Sequence, residues 1–229
     1  MNYTKPINAF GKVLDDPIYN YFFRDKNYIK PANDENGDHC LWYVHLTDVI
    51  DEKVLSMVEN WVDGKELFDA ITLGQQYEGN SKNKIRETQM LWMASQDNFE
   101  ELLPVYEYIT DIIRSVNNDL WGYSVVGWEP FQYLEYKSEN KGHFNWHIDI
   151  PARRLKGNQR KVSFMVGVSG DDEYEGGEIQ LRLGMDDKSI KIGRGDVVVL
   201  PSFIVHRVTP VTKGLRRVVT GWGSGPDFT

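Results

Sequence analysis

The sequence contains a single cysteine, Cys40, among 229 residues. One thiol excludes an internal disulfide and is typical of proteins from a reducing compartment. No apolar run approaches the roughly 20 residues that a membrane-spanning helix needs. The N-terminal segment also lacks the apolar stretch of a secretory signal. We therefore expect a cytoplasmic protein with no membrane partner.

The sequence also lacks an excess of basic residues. It has 34 acidic and 26 basic residues, a formal net charge of -8 and a pI near 5.2. Nucleic-acid binders usually carry a basic footprint, so we expect no nucleic-acid partner. Hydrophobic residues make up 41% of the chain, which is enough for one sizeable core. We expect a single domain over residues 1–229, and nothing in the sequence predicts its oligomeric state.

The hydrophobic periodicity changes near residue 128. Before it, apolar residues recur at three- and four-residue spacing over residues 49–62 and 98–121, which predicts two helices. After it come eight short alternating or β-branched runs, separated by turn signals such as SGDDEYEGG and GRGD. Strands of this number and spacing favour a double-sheet barrel or jelly roll. The sequence thus predicts an α+β fold, with a mainly helical and loop part (1–127) packing on a β core (128–225).

Two polar residues lie close together in the stretch HFNWHIDIP. Residues two apart on an extended strand project from the same face, so His147 and Asp149 would present an imidazole and a carboxylate side by side. Taken alone, the pattern leaves two interpretations open. The pair could be metal ligands, or it could be a polar pair at the end of a strand.

A third residue strengthens the metal interpretation. His206 lies 57 residues after Asp149, inside the apolar, β-rich segment FIVHRV. An unpaired imidazole is costly to bury in such a segment. Two histidines and one carboxylate form the ligand set of non-haem iron(II) oxygenases, which leaves coordination positions open. The sequence therefore predicts a metal site made by His147, Asp149 and His206.

An arginine follows the last of these residues at a defined distance. Arg216 lies ten residues after His206, and alternation places it on the same strand face as Val218, Thr220 and Trp222. An inward-pointing arginine needs an anionic partner, and its planar guanidinium suits a carboxylate held by two hydrogen bonds. The sequence thus indicates an acidic organic cosubstrate next to the metal.

These pieces form an ordered set, HxD…GGE…GD…P…HxVxPVxxGxR. In this chain it is carried by QYLEY, HFNWHID, GGEI, GRGDVVVLPS and HRVTPVTKGLR. The set resembles the iron(II)- and 2-oxoglutarate-dependent dioxygenases, in particular the prolyl 4-hydroxylase-like and PKHD-type hydroxylases. The resemblance covers about residues 130–225 and implies a double-stranded β-helix, the cupin-like form of the jelly roll. A weaker likeness lies upstream, where KIRETQMLWM (84–93) is similar to the family's R-x-S-x-x-x-W segment.

The resemblance implies an enzyme, a dioxygenase that acts as a hydroxylase. Its cofactors would be Fe(II), 2-oxoglutarate and O2, with ascorbate as an optional reductant. His147, Asp149 and His206 would be the catalytic iron ligands, and Arg216 would anchor the distal carboxylate of 2-oxoglutarate. Tyr136 would donate its hydroxyl to the cosubstrate. Trp222 joins the cosubstrate-binding residues because it shares a face with Arg216.

The substrate is left open between a peptide or protein and a small molecule, with peptidyl proline as the leading expectation. Two departures from the family pattern concern the site. Relatives often carry a serine or threonine where this chain has Val218, and some carry a tyrosine where it has Phe144. The basic residues after the HxD motif are either a solvated loop or a rim that orients an acidic substrate. They are Arg153, Arg154, Arg160 and Lys161.

Two other functions stay open at this point. The chain could be a non-catalytic module that binds a metal or a carboxylate on the same scaffold. It could also be a cupin-type enzyme that does not use 2-oxoglutarate. An arginine ten residues after the last ligand favours the 2-oxoglutarate-dependent function over both.

Overall fold

The computed structural model describes residues 42–70, 85–94, 99–150, 158–184 and 186–228. Cys40, Arg153 and Arg154 lie outside these ranges. The described residues form two helices and fourteen strands, with a short 3-10 turn at Ser138–Asn140. In chain order, these elements are β1 (Val44–Leu46), α1 (Glu52–Val62), β2 (Phe68–Asp69), β3 (Arg86–Glu87), β4 (Gln89–Trp92), α2 (Phe99–Leu120), β5 (Gly127–Trp128), β6 (Gln132–Lys137), β7 (His143–His147), β8 (Gln159–Gly167), β9 (Tyr174–Gly176), β10 (Ile179–Leu183), β11 (Asp186–Ile190), β12 (Val197–Pro201), β13 (His206–Val208) and β14 (Val211–Gly225).

The strands form two antiparallel sheets. In the larger sheet, the order is β1-β12-β8-β14-β6-β4-β2, with β5 and β9 also paired to β14. In the smaller sheet, the order is β11-β10-β13-β7-β3. Apolar side chains from both sheets contact one another, such as Val208 of the smaller sheet with Leu134 and Val218 of the larger. The two sheets therefore face each other, as in the predicted jelly roll.

The two helices pack on the outer face of the larger sheet. Helix α1 is capped by Asp51, whose side chain accepts a hydrogen bond from the backbone N–H of Lys53 at 2.7 Å. Its buried stripe, which includes Val58 and Trp61, joins one cluster with α2 and with outward residues of the sheet such as Tyr133. The helices thus cover one side of the larger sheet and leave its other side to face the smaller sheet. Neither α1 nor α2 is long and apolar enough to cross a membrane, and the described residues contain no other α-helix.

The predicted α+β jelly roll is confirmed, and each of the eight predicted runs contributes a strand. Two details differ from the prediction. Residues before 128, which were expected to be helix and loop, also supply β1 to β4 to the two sheets. Strand β7 ends at His147, so Asp149 does not share a strand with His147 as predicted, because residues 149 and 150 form a bend.

Candidate metal centre and cosubstrate pocket

The structure brings the three predicted metal ligands together. His147 is the last residue of β7 and lies directly opposite His206 on the neighbouring strand β13. Asp149 follows in the bend after β7. One ligand atom from each residue lies within 4.8 Å of the other two. Two antiparallel strands and the bend after one of them therefore place the three residues around one point.

The position of Asp149 next to the two histidines has a different cause from the one that the sequence predicts. Asp149 is not on the strand face of His147, because β7 has already ended. Instead, its backbone N–H donates a hydrogen bond to the carbonyl of Ser202 at 3.0 Å. Ser202 is fully buried and shares a hydroxyl hydrogen bond of 2.9 Å with Ser163. The loop after β12 thus fixes the backbone of Asp149.

Both histidines are oriented by their own backbone. The Nδ1 atom of His147 lies 2.7 Å from the carbonyl oxygen of Asn145, and that of His206 lies 2.8 Å from Ile204 O. If each Nδ1 carries the proton and donates it to the carbonyl, each Nε2 is left to accept a metal. The two Nε2 atoms lie 3.6 and 3.5 Å from the carboxylate oxygens of Asp149. Two imidazole nitrogens and one carboxylate fit a divalent iron ion.

The electrostatics of the cluster suit metal binding. Burial lowers the pKa of His147 to about 4, and the neighbouring His206 adds to this effect while Asp149 opposes it. Burial alone would raise the pKa of Asp149. His206, His147, Arg160 and the indole of Trp222 together outweigh it and lower that pKa to about 2. Near neutral pH, His147 is therefore neutral and Asp149 ionised, the states that a metal ion requires of its ligands.

Arg216 provides a second polar feature between the sheets. Its side chain is 1% exposed, and none of its three guanidinium nitrogens has a hydrogen-bond partner among the described residues. Burial raises the pKa of the nearby Tyr174 hydroxyl, and the guanidinium of Arg216 opposes that rise. That hydroxyl nevertheless donates its proton to the carbonyl of Ile192 at 2.6 Å. A buried, unpaired cation is costly, so the pocket fits an anionic group such as a carboxylate.

The other two predicted cosubstrate residues lie at different places in the pocket. Tyr136 pairs with Arg216 on adjacent strands, and its ring centroid lies 5.0 Å from the guanidinium carbon. Trp222 lies further along β14, near Asp149, with its ring 3.7 Å from the guanidinium of Arg160. The structure thus places Tyr136 beside Arg216 and Trp222 beside the metal ligands. Val218, between them, is buried and contributes no hydroxyl.

Arg160, one of the basic residues that follow the HxD motif, lies in β8 and not in a solvated loop. Its guanidinium donates to both carboxylate oxygens of Glu129, at 2.8 and 2.6 Å. A third contact, at 3.3 Å, goes to the backbone carbonyl of Asp149. Glu129 also accepts a hydrogen bond from Ser224 at 3.1 Å. Sequence reasoning missed this pair, because 31 residues separate its members and neither belongs to the motif.

Arg86, from the R-x-S-x-x-x-W segment, also lies at the site. It pairs in register with Phe144, and its guanidinium carbon lies 4.8 Å from the centroid of that ring. Burial lowers the pKa of Arg86, whereas Tyr136 and Asp149 oppose that shift. Phe144 in turn stacks on His147, with a centroid distance of 3.6 Å. The phenylalanine that replaces a family tyrosine therefore packs beneath a predicted ligand.

Other polar residues do not join the cluster. His45 lies 3.0 Å from Asp196, and His143 lies 2.9 Å from the carbonyl of Lys141. Glu178 accepts a hydrogen bond from Thr209 at 3.0 Å. Each of these residues therefore has a partner outside the cluster.

Two facing antiparallel sheets with a His/Asp/His cluster between them define a jelly-roll metalloenzyme of the non-haem iron type. Comparison with known families identifies the group within that class. Residues 131–224 match the model of the 2OG-Fe(II) oxygenase superfamily. The predicted resemblance, the enzyme class and the cofactors Fe(II), 2-oxoglutarate and O2 are therefore confirmed.

Particular relatives agree with this assignment. The chain is 28% identical over 191 residues to a PKHD-type hydroxylase of Aliarcobacter butzleri, an alignment that covers 78% of this chain and 76% of the relative. Its fold is similar to that of a Pseudomonas putida prolyl-4-hydroxylase, with a TM-score of 0.60 and 17% identity over 79% of this chain and 91% of the other. It is also similar to a Trichoplax adhaerens prolyl hydroxylase in complex with a peptide fragment of the hypoxia inducible factor oxygen degradation domain. That TM-score is 0.63, with 16% identity over 80% of this chain and 84% of the other.

Proposed function

We propose that this oxygenase hydroxylates prolyl residues in peptides, with iron(II) bound by His147, Asp149 and His206. The observation that carries the proposal is the close approach of these three ligand atoms, within 4.8 Å, in a pocket that also holds an unpartnered buried arginine. Prolyl specificity is supported by the similar folds of two prolyl hydroxylases, one of which is recorded with a peptide.

Each residue of the pocket has a separate role in this proposal. His147, Asp149 and His206 hold the metal from one side, and Arg216 binds the distal carboxylate of 2-oxoglutarate. Tyr136, beside Arg216, donates its hydroxyl to the cosubstrate. Trp222 forms the wall next to Asp149, where the Arg160–Glu129 pair holds it in place. The predicted role of Trp222 thus becomes that of a wall near the metal.

Bound iron(II), 2-oxoglutarate and O2 supply the oxidising chemistry: 2-oxoglutarate becomes succinate and CO2, and one oxygen atom enters a C–H bond of the substrate as a hydroxyl. The contribution of the chain is to orient both substrates and to exclude water. The buried cluster that includes Tyr136, Val208 and Val218 gives the pocket an apolar lining suited to that exclusion.

Replacement of Asp149 and of Arg216 tests the assignments separately. Asp149→Ala should abolish tight iron(II) binding, measured by metal analysis after dialysis, together with succinate formation. Arg216→Ala should keep iron but raise the KM for 2-oxoglutarate by about 100-fold, because a charge-assisted bidentate contact is worth about 3 kcal/mol. Arg217→Ala is the matched control, because the Arg217 guanidinium contacts Glu173 and Glu59 outside the pocket.

Three results would contradict the proposal. Iron binding by Asp149→Ala at the wild-type level would remove Asp149 from the ligand set. A wild-type protein that forms no succinate with iron, 2-oxoglutarate and proline peptides would favour a non-catalytic module. Turnover that needs no 2-oxoglutarate would favour the cupin-type alternative. The expectations of one domain over residues 1–229 and of a cytoplasmic location stay predictions.

A further inference from the structure

Gln132, the first residue of β6, is a buried polar residue with one unsatisfied side-chain atom. The residue is 5% exposed, and its Oε1 atom is buried without a hydrogen-bond partner among the described residues. A buried acceptor without a partner is costly, and such atoms in folded proteins usually have a structural or functional reason. The proposed roles of the metal ligands and the cosubstrate residues do not use this amide.

Alternation along β6 shows where the amide points. Tyr133 belongs to the cluster that packs against the helices, on the outer face of the sheet. Leu134 and Tyr136 belong to the cluster between the two sheets. Because successive residues of a strand point to opposite faces, Gln132 shares the inner face with Leu134 and Tyr136. The amide with the unpartnered Oε1 atom therefore lies on the side of the sheet that carries the pocket.

Register then gives the position of Gln132 within the pocket. It pairs with Thr220 of β14 on one side and with Trp92 of β4 on the other. Thr220 lies on β14 between Arg216, at the cosubstrate end, and Trp222, at the metal end. The Thr220 hydroxyl donates to the carbonyl of Phe164 at 2.7 Å and is not directed to Gln132. Gln132 thus lies opposite the part of β14 that separates Arg216 from Trp222.

The chemistry of an amide restricts the ligand that could satisfy it. A glutamine side chain presents one carbonyl acceptor and an NH2 donor group. The carboxylates and keto group of 2-oxoglutarate offer only acceptors, so they leave Oε1 unsatisfied. A peptide bond offers an N–H and a C=O together, and it can pair with the amide in either orientation of the side chain. A peptide backbone is therefore the better match.

Trp92 adds an apolar surface next to this amide. Its side chain remains 38% exposed although it is paired in register with Gln132. A flat indole beside a hydrogen-bonding amide suits a chain segment that is apolar at one residue and polar along its backbone. A prolyl residue in a peptide has this character.

We propose that Gln132 is a specificity-determining residue, which hydrogen-bonds the backbone amide of a peptide substrate next to the reacting residue. The inference rests on the proposed peptide hydroxylase function and names a contact for that same site. It predicts that the amide contributes to binding of the peptide and contributes nothing to binding of the cosubstrate.

Substitution of Gln132 by Met, which keeps the length and removes the polar atoms, tests this contact. With proline-containing peptides, Gln132→Met should raise the peptide KM about tenfold, since one lost hydrogen bond to a buried amide has about this effect. The KM for 2-oxoglutarate and peptide-independent succinate formation should stay unchanged. The melting temperature should stay unchanged or rise, because the variant removes an unsatisfied buried acceptor.

Gln89→Met is the matched control, because the Gln89 amide accepts a hydrogen bond from Lys137 at 2.7 Å and Gln89 lies opposite Glu135 rather than Gln132. It should leave the peptide KM unchanged. Gln132→Leu serves as a second variant should Gln132→Met fail to fold, with the same expected kinetic effect.

An unchanged peptide KM in a folded Gln132 variant would overturn the inference while leaving the hydroxylase function intact. A rise in the KM for 2-oxoglutarate would also overturn it, since the amide would then contact the cosubstrate. A lower melting temperature with unchanged kinetics would assign the residue a structural role. A wild-type protein that forms succinate but hydroxylates no proline peptide would overturn both the substrate proposal and this inference.

Discussion

At the scale of single residues, Gly177 determines the space available to Arg216. A Cβ atom at this position would lie 2.8 Å from Cδ of Arg216 and 2.9 Å from Cγ2 of Val211. The residue also has φ +66, a conformation that favours glycine. Both glycines of the GGE motif, Gly176 and Gly177, combine a positive φ with a close approach to neighbouring atoms.

Gly177→Ala should therefore weaken cosubstrate binding. Displacement of the Arg216 side chain by a few tenths of an ångström should raise the KM for 2-oxoglutarate about tenfold or more, since misplaced binding groups lose affinity quickly. Steady-state kinetics with varied 2-oxoglutarate would measure this effect. Gly64→Ala is the control, because Gly64 has φ +70 but open space around its Cβ position. A rise that is equal in both variants would show that backbone strain, and not the contact with Arg216, causes it.

Sequence reasoning identified candidate residues that lie in motifs, and it missed residues whose contacts depend on the pairing of distant strands. His147, Asp149, His206 and Arg216 have a fixed spacing and residue types whose chemistry is distinctive. The partner of Arg160 could not be predicted, because a glutamate 31 residues upstream becomes its neighbour only through the register of the sheet. In the same way, the amide of Gln132 is notable only because no partner reaches it.

At the scale of elements, one hydroxyl group ties α2 to the larger sheet. Tyr106 donates to the carbonyl of Met93 at 2.7 Å and accepts a hydrogen bond from the backbone N–H of Phe131 at 2.8 Å. Its ring stacks on Phe131 with a centroid distance of 3.8 Å. Burial raises the pKa of Tyr106, so the group stays protonated and can serve as donor and acceptor together. The contact thus satisfies the backbone N–H of Phe131, the residue directly before β6.

Tyr106→Phe should lower the free energy of unfolding by about 2 to 4 kcal/mol, because it leaves two buried backbone groups without partners. Urea denaturation at neutral pH would measure the change. Tyr108→Phe is a suitable comparison, because the Tyr108 hydroxyl donates to Val49 O at 3.1 Å in a half-buried place, so its loss should cost less. Equal losses in the two variants would refute the linking role of Tyr106.

Element positions were predictable to different extents. The strands after residue 128 are marked by alternation and by turn residues, and α1 and α2 by their apolar periodicity. The short strands β2 and β3 have two residues each, too few for any periodicity. The end of β7 at His147 was missed, because the contact that bends the chain comes from Ser202 in a distant loop.

At the scale of the whole molecule, a single carboxylate joins distant parts of the larger sheet. Asp196, just before β12, accepts hydrogen bonds from the backbone N–H groups of Gly193 and Asp48, at 2.9 and 3.0 Å, and contacts His45. Burial alone would raise the pKa of Asp196, but these contacts outweigh burial and hold it below its ordinary value of 3.8. Because the folded state favours the ionised carboxylate, this stabilisation is complete at pH values above the ordinary pKa of 3.8. It is lost as the pH falls through the lower pKa that Asp196 has in the folded protein.

Asp196→Asn should therefore lower stability at pH 7 and flatten its decline between about pH 5 and pH 2. Urea denaturation repeated across this range would measure both effects. Glu66→Gln, which removes the charge of an exposed residue, should leave the profile unchanged. A variant of Asp196 that keeps the full acid dependence of the wild type would assign that dependence to other carboxylates.

Strand β14 has a consequence for the length of the acid that the enzyme accepts. Its 15 residues pair with β5, β6, β8 and β9, so it cannot stretch or slide as a unit. It carries both Arg216 and Trp222, and the indole of Trp222 lies near Asp149. The strand therefore fixes the distance between a carboxylate bound by Arg216 and the metal ligands. A 2-oxo diacid one carbon shorter or longer than 2-oxoglutarate would therefore fit Arg216 and the metal ligands together less well than 2-oxoglutarate does.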